Sequence, residues 1–213
     1  CYGMSETAPV SAQSSTEDPV YCRVGTVGRV HPHLEIKIVD ENGKVVPRGK
    51  LGELCVRGYS VMLGYWEDND KTGEVIDVAK WMHTGDIAEM DDEGFVKIKG
   101  RIKDVVIRGG ENLFPKEIED FLYTHPDVSD VQVIGLPDAR YGEELCACII
   151  LHDHHQANEE EIRKYCAEHI SHNKVPRYVR FFTEFPMTAS GKAQKFKLQE
   201  FMRQELNLIE DIA

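Results

Sequence analysis

The sequence predicts an α+β protein in two parts, a β-rich segment over residues 1–102 and a smaller α+β segment over residues 103–213. Before residue 100, apolar and polar residues alternate in several short runs, the period-two signature of half-buried strands. Beyond it, strand-like runs are interleaved with stretches of helical spacing, the pattern of a compact α+β domain. Neither an internal repeat nor a low-complexity linker lies between them, so the two parts meet abruptly near residues 100–104.

In the first part, Leu34, Ile36 and Ile38 alternate with Glu35 and Lys37 to give a strand. Asp40-Glu41-Asn42-Gly43 follows as a hairpin turn, because Asn-Gly tolerates the positive φ that such turns require. Leu51 to Arg57 is a second strand, and Asp91-Asp92-Glu93-Gly94 separates Ile87–Met90 from Phe95–Ile98 as another hairpin. One short helix is expected near residues 68–79. In the second part, Asp104 to Arg108 is a short strand. Pro115 suits a helix first turn, with Ile118, Phe121 and Leu122 on one apolar face. Val128–Leu136 and Leu145–Leu151 are strands, and Cys146 and Cys148 share one side of the latter. Asn158 and Glu161 have capping-box spacing ahead of Ile162, Tyr165, Cys166 and Ile170. Tyr178–Thr183 is a strand, and Leu198, Phe201, Met202 and Leu206 mark a final amphipathic helix.

Composition narrows the function. A net charge of −12 argues against nucleic acid or an anionic membrane as partner, since both demand a basic surface. At 41% apolar residues the chain can build cores, yet no run approaches the roughly 18 apolar residues of a membrane span. The six cysteines form no CxxC pair, which fits free thiols in a reducing compartment. His152, His154 and His155 fit a surface loop better than a metal site, because no second ligand cluster has suitable spacing. The chain opens at Cys1, inside a motif, as expected of a piece of a longer protein, and no targeting segment is in view.

Four stretches carry the chemistry: Tyr2-Gly3-Met4-Ser5-Glu6, Thr84-Gly85-Asp86, Gly100-Arg101-Ile102-Lys103-Asp104 running into Arg108-Gly109-Gly110-Glu111-Asn112, and Thr188-Ala189-Ser190-Gly191-Lys192. Each alone is weak; their order and separations are specific. In that order the chain resembles the superfamily of acyl-CoA synthetases, peptide-synthetase adenylation domains and firefly luciferases, over essentially its whole length. Arg108 to Pro115 and Pro186 to Lys192 look most like mitochondrial medium-chain fatty-acyl-CoA ligases.

The resemblance implies a β-rich remnant of a large AMP-binding domain followed by a small mobile lid domain. It implies an ATP- and Mg²⁺-dependent reaction in which a carboxylate attacks the α-phosphorus of ATP. The thiol of CoA then displaces AMP from the acyl-adenylate. Two anions must meet in the first step, so cations must neutralise charge in its transition state. By resemblance, Tyr2 stacks on adenine, Ser5 bonds the α-phosphate where Thr is common, and Glu6 is the magnesium-associated acid. Asp86 and Arg101 hold the ribose, while Ile98 fits either the base or a strand core. Lys103 falls at the family's hinge, although a hinge needs a backbone and not a charge. Gly109 and Gly110 suit the close passage of a pantetheine arm or a plain tight turn. Lys192 bridges carboxylate and α-phosphate, and Gly191 gives its loop freedom. The family's phosphate loop has no counterpart in this sequence, so the fragment is expected to be inactive alone, and acid length is not legible. Expected partners are small molecules: ATP, a fatty acid and CoA. The resemblance also implies a mitochondrial matrix location. An adenylating enzyme for another acid or acceptor stays open, as does a noncatalytic interaction module. Asp86, Arg101 and Lys192 count against the module, since a scaffold does not require all three.

Overall fold

The computed structural model describes residues 1–189 and 191–208. The chain divides into two compact units, Cys1–Lys103 and Asp104–Ala213, so Lys103 ends the first unit instead of opening the second.

The first unit is built on a four-stranded antiparallel sheet of β3 (Leu34–Val39), β4 (Gly52–Gly58), β5 (Met82–Met90) and β6 (Val96–Arg101), in chain order. A two-stranded ribbon of β1 (Ala12–Gln13) and β2 (Arg29–Val30) accompanies it. The alternation noted in the sequence places Ile38, Leu54, Ala88, Met90 and Val96 in one buried cluster. Tyr2, Ile36 and Ile98 pack against its margin, so Ile98 takes up the strand-core role. The turn at Asp40–Gly43 closes a short pairing of Val39 with Val45, and the true partner strand of β3 begins only at Gly52.

Two short helices interrupt the β structure. The expected one is α2 (Asn69–Val75), capped by the Asp68 side chain on the Lys71 N–H. The other, α1 (Val20–Gly25), is a correction to the sequence reading, which placed only one helix here. Val20, Tyr21 and Val24 are exposed, so α1 has no apolar periodicity that would announce it.

In the second unit, β9 (Val128–Asp138) and β10 (Gly142–Leu151) form a long antiparallel hairpin, and β11 (Tyr178–Phe181) runs parallel to β10. A small hairpin, β7 (Val106–Arg108) and β8 (Glu111–Leu113), joins the start of β10 through Arg108 and Gly142. Helices cover both faces. Ile118 and Leu122 of α3 (Pro115–Leu122) and Ile162 and Cys166 of α4 (Glu159–His169) pack with Leu145, Ala147 and Ile149. Leu198 and Met202 of α5 (Lys195–Glu205) pack with Cys146 and Cys148 on the other side. Burial on both faces explains why β10 is a continuous apolar run. Asn158 and Glu161 form both bonds of a capping box, at 3.0 and 2.9 Å.

Candidate active site

In the first unit, three of the singled-out residues converge. Asp86 lies on β5 directly opposite Arg101 on β6. Tyr2 Oη donates to Asp86 Oδ2 at 2.6 Å, and Arg101 Nε stands 3.3 Å from Asp86 Oδ1. Asp86 is buried while half of the Arg101 side chain is exposed, so a buried carboxylate sits beside a cation that reaches the unit's surface. Burial raises the Tyr2 phenol well above its ordinary value, and the Asp86 carboxylate adds to the shift. Tyr2 thus meets Asp86 through its hydroxyl, a contact the stacking role did not anticipate.

The Thr84-Gly85-Asp86 turn is a strand irregularity. Glu53 pairs with Ile87 and Cys55 with His83, so residues 84–86 of β5 face Leu54 alone. Side chains replace the missing ladder bonds. Thr84 Oγ1 donates to the Leu54 carbonyl at 2.7 Å and accepts from the Asp86 N–H at 3.1 Å. Gly85, at φ 71°, donates its N–H to Glu53 Oε1 at 3.0 Å. Glu53 was missed in the sequence because its partners are about thirty residues away. A carboxylate within an apolar strand was the available signal.

The first motif is a tight loop. A Cβ on Gly3 would lie 1.5 Å from the Pro9 carbonyl oxygen, so only glycine permits this approach. Tyr2 pairs with Ala12 across it. Ser5 is exposed in a short 3-10 turn, Ser5–Thr7. Glu6 is half-buried and accepts from Tyr65 Oη at 3.1 Å. A single carboxylate of this kind suits Mg²⁺, which takes one or two acids beside phosphate oxygens. Lys103 is exposed in the 3-10 turn Ile102–Asp104.

In the second unit, Gly109 and Gly110 form the tip of the β7–β8 hairpin at φ 59° and 85°. Two positive φ values are what a two-residue hairpin turn of this kind demands, so the turn by itself accounts for both glycines. Arg108 beside them makes a bidentate pair with buried Glu144, at 2.8 and 3.0 Å.

Lys192 is exposed on a hydrogen-bonded turn. Thr188 N–H donates to the Lys192 carbonyl at 2.8 Å, Lys192 N–H donates to Thr188 Oγ1 at 3.0 Å, and Met187 pairs with Ala193. Gly191, at φ 77°, donates its N–H to the Thr188 carbonyl at 3.0 Å within the turn, while Ser190 lies outside the described residues. Just beyond, Lys195 Nζ donates to buried Glu119 Oε1 at 2.6 Å and to the Val133 carbonyl at 3.0 Å, anchoring the base of the turn.

Known proteins are similar to this chain in sequence and fold. Residues 1–66 match the family described as AMP-binding enzyme, and residues 117–192 match its C-terminal domain. A mitochondrial medium-chain acyl-CoA ligase of Bos taurus is 54% identical over 97% of this chain. The chain spans 34% of that relative's length. Among solved structures, ATP-bound MatB from Rhodopseudomonas palustris superposes with a TM-score of 0.88 at 33% identity, covering 96% of this chain and 40% of that one. The o-succinylbenzoate CoA synthetase of Bacillus subtilis, in complex with its acyl-adenylate intermediate, gives 0.85 at 31%, covering 93% and 40%. With the four motifs in order, two family domains matched and half the residues identical to a relative over 97% of this chain, the chain belongs to the AMP-binding, adenylate-forming enzyme superfamily.

Proposed function

We propose that this chain is the C-terminal part of an ATP-dependent acid:CoA ligase acting on medium-chain fatty acids in the mitochondrion. The observation that carries the reading is the Tyr2–Asp86–Arg101 constellation in a chain 54% identical to a medium-chain acyl-CoA ligase. A carboxylate oxygen has two lone pairs, so Asp86 can accept from ribose hydroxyls while keeping Tyr2 and Arg101. Tyr2 offers a ring edge and face to the base, Ser5 a hydroxyl to the α-phosphate, and Arg101 a further donor to the ribose. Glu6 would hold Mg²⁺, which supplies charge neutralisation at the phosphates. Gly109 and Gly110 leave room for the pantetheine arm of CoA, and Lys103 serves as the hinge between the large-domain remnant (1–102) and the small domain.

Lys192 acts where the substrate carboxylate meets the α-phosphate. Its ammonium offsets the charge that accumulates as the two anions approach, and this need ends once the adenylate exists. In the complete enzyme, Lys192→Ala should therefore lower pyrophosphate exchange by about 10²–10³ and spare thioester formation from supplied acyl-adenylate. Equal losses in both half-reactions would overturn the assignment. Comparing thioester yield across acids of different length then tests the medium-chain substrate. The 213-residue chain alone should show no exchange above background.

A further inference from the structure

The irregularity that shapes the Asp86 turn also assembles a second group of side chains. Glu53 and Cys55 are two apart on β4 and share one face, and His83 is the direct cross-strand partner of Cys55. One ligand atom from each, a Glu53 oxygen, Cys55 Sγ and a His83 ring nitrogen, lie within 4.8 Å of one another. Sγ and Nδ1 are 3.5 Å apart, and Nδ1 is 2.7 Å from Glu53 Oε2. A tetrahedral zinc ion, with bonds of about 2.3 Å to sulfur and about 2.0–2.1 Å to nitrogen, sets those two atoms ~3.5 Å apart. The Glu53 oxygen, 2.7 Å from Nδ1, must move away from it by roughly half an ångström for both to bind one tetrahedral ion.

Two neighbours support the arrangement. His83 Nε2 faces Asp77 Oδ2 at 4.0 Å, beyond hydrogen-bond reach, so the Asp77 carboxylate favours a proton on Nε2 through its charge alone. The other oxygen of Glu53 is held by the Gly85 N–H, which restricts the carboxylate. Lys37, the nearby cation opposite Cys55 on β3, is held over the Trp81 ring at 4.5 Å. The His83 and Glu53 side chains are 29% and 19% exposed, which leaves an entry path to the buried thiol.

We propose that Glu53, Cys55 and His83 form a binding site for a borderline-soft divalent ion of the zinc type. A thiolate and an imidazole select such ions, whereas magnesium demands oxygen ligands, so this site is chemically separate from any nucleotide-bound magnesium. On binding, the Cys55 thiol releases its proton to solvent, and His83 presents its Nδ1 lone pair with the ring proton on Nε2. Thiolate and carboxylate then neutralise the two positive charges, and water completes the tetrahedron.

The test is a Co²⁺ titration of the metal-stripped, reduced chain carrying Cys1→Ser, which removes the one exposed thiol. The expected result is one equivalent of cobalt with a thiolate-to-cobalt charge-transfer band and tetrahedral visible bands. Zn²⁺ should displace it, and excess Mg²⁺ should not. Cys55→Ser should abolish the charge-transfer band, and His83→Gln, at a partly exposed position, should weaken binding about tenfold or more. Circular dichroism checks that each variant is folded. Absence of the band in the parent protein, its survival in folded Cys55→Ser, or unchanged affinity in His83→Gln would overturn the site and leave a hydrogen-bonded cluster.

Discussion

Replacing Glu119 by alanine should destabilise the second unit by about 3 kcal/mol, at the lower end of the cost of breaking a buried ion pair. Among the described residues β9 pairs only with β10, which leaves its other edge without a strand. At Val133, that edge is capped by side chains: the N–H donates to Glu119 Oε1 at 2.8 Å, and the carbonyl accepts from Lys195 Nζ at 3.0 Å. Glu119 and Lys195 also bond each other, tying α3, β9 and α5 at one point. Glu119→Ala orphans the Val133 N–H, at about 1–3 kcal/mol, and leaves Lys195, 20% exposed, without its counter-charge. That partial exposure is why we take the lower figure. For a unit of this size the melting temperature should fall by roughly 12 °C or more. Glu119→Gln keeps an acceptor for Val133 and should lose about half as much. Thermal melts followed by far-ultraviolet circular dichroism measure the shift, and exchange of the Val133 amide reports the edge directly. A Glu119→Ala melt within about 4 °C of the parent, with Val133 still protected, would refute this account of the edge.

Two further outcomes follow from the first unit. Because the folded state holds the Tyr2 proton more tightly, its contribution is complete below the ordinary tyrosine value of 10.0 and is lost as pH rises above it, where the unfolded chain ionises first. Tyr2→Phe should therefore flatten the decline in denaturant midpoint between about pH 10 and about pH 12, and an unchanged slope would count against the burial of the Tyr2 phenol beside Asp86. Gly3→Ala places a Cβ on Pro9 backbone, so the Tyr2–Ala12 pairing should open at a cost of about 3 kcal/mol. Native-like exchange protection at Ala12 in that variant would contradict the close approach.

The elements that the sequence made legible are those whose signals are local. Pro115 opens α3, Asn158 and Glu161 cap α4, and Cys146 and Cys148 share a face of β10 because a strand alternates with period two. What stayed hidden depends on partners distant along the chain, such as Glu53 with Gly85 and Glu119 with Lys195. The most consequential of these is the register at Asp86. From the turn at Asp91–Gly94, the β5–β6 ladder sets Met90 opposite Val96 and Ala88 opposite Ile98. Continued without interruption, it would set Gly100 opposite Asp86. The register instead shifts between Ile87 and Ala88, so Ile87 meets Gly100 and Asp86 meets Arg101. Gly100, at φ 155°, takes a conformation there that other residues rarely adopt. A shift of one residue exchanges the faces of a strand, so this irregularity decides whether the carboxylate is met by a guanidinium or by no side chain at all. An isolated glycine within a strand-like run is the sequence's mark of such a bulge. Gly100 was therefore the one local signal of how Asp86 and Arg101 come together.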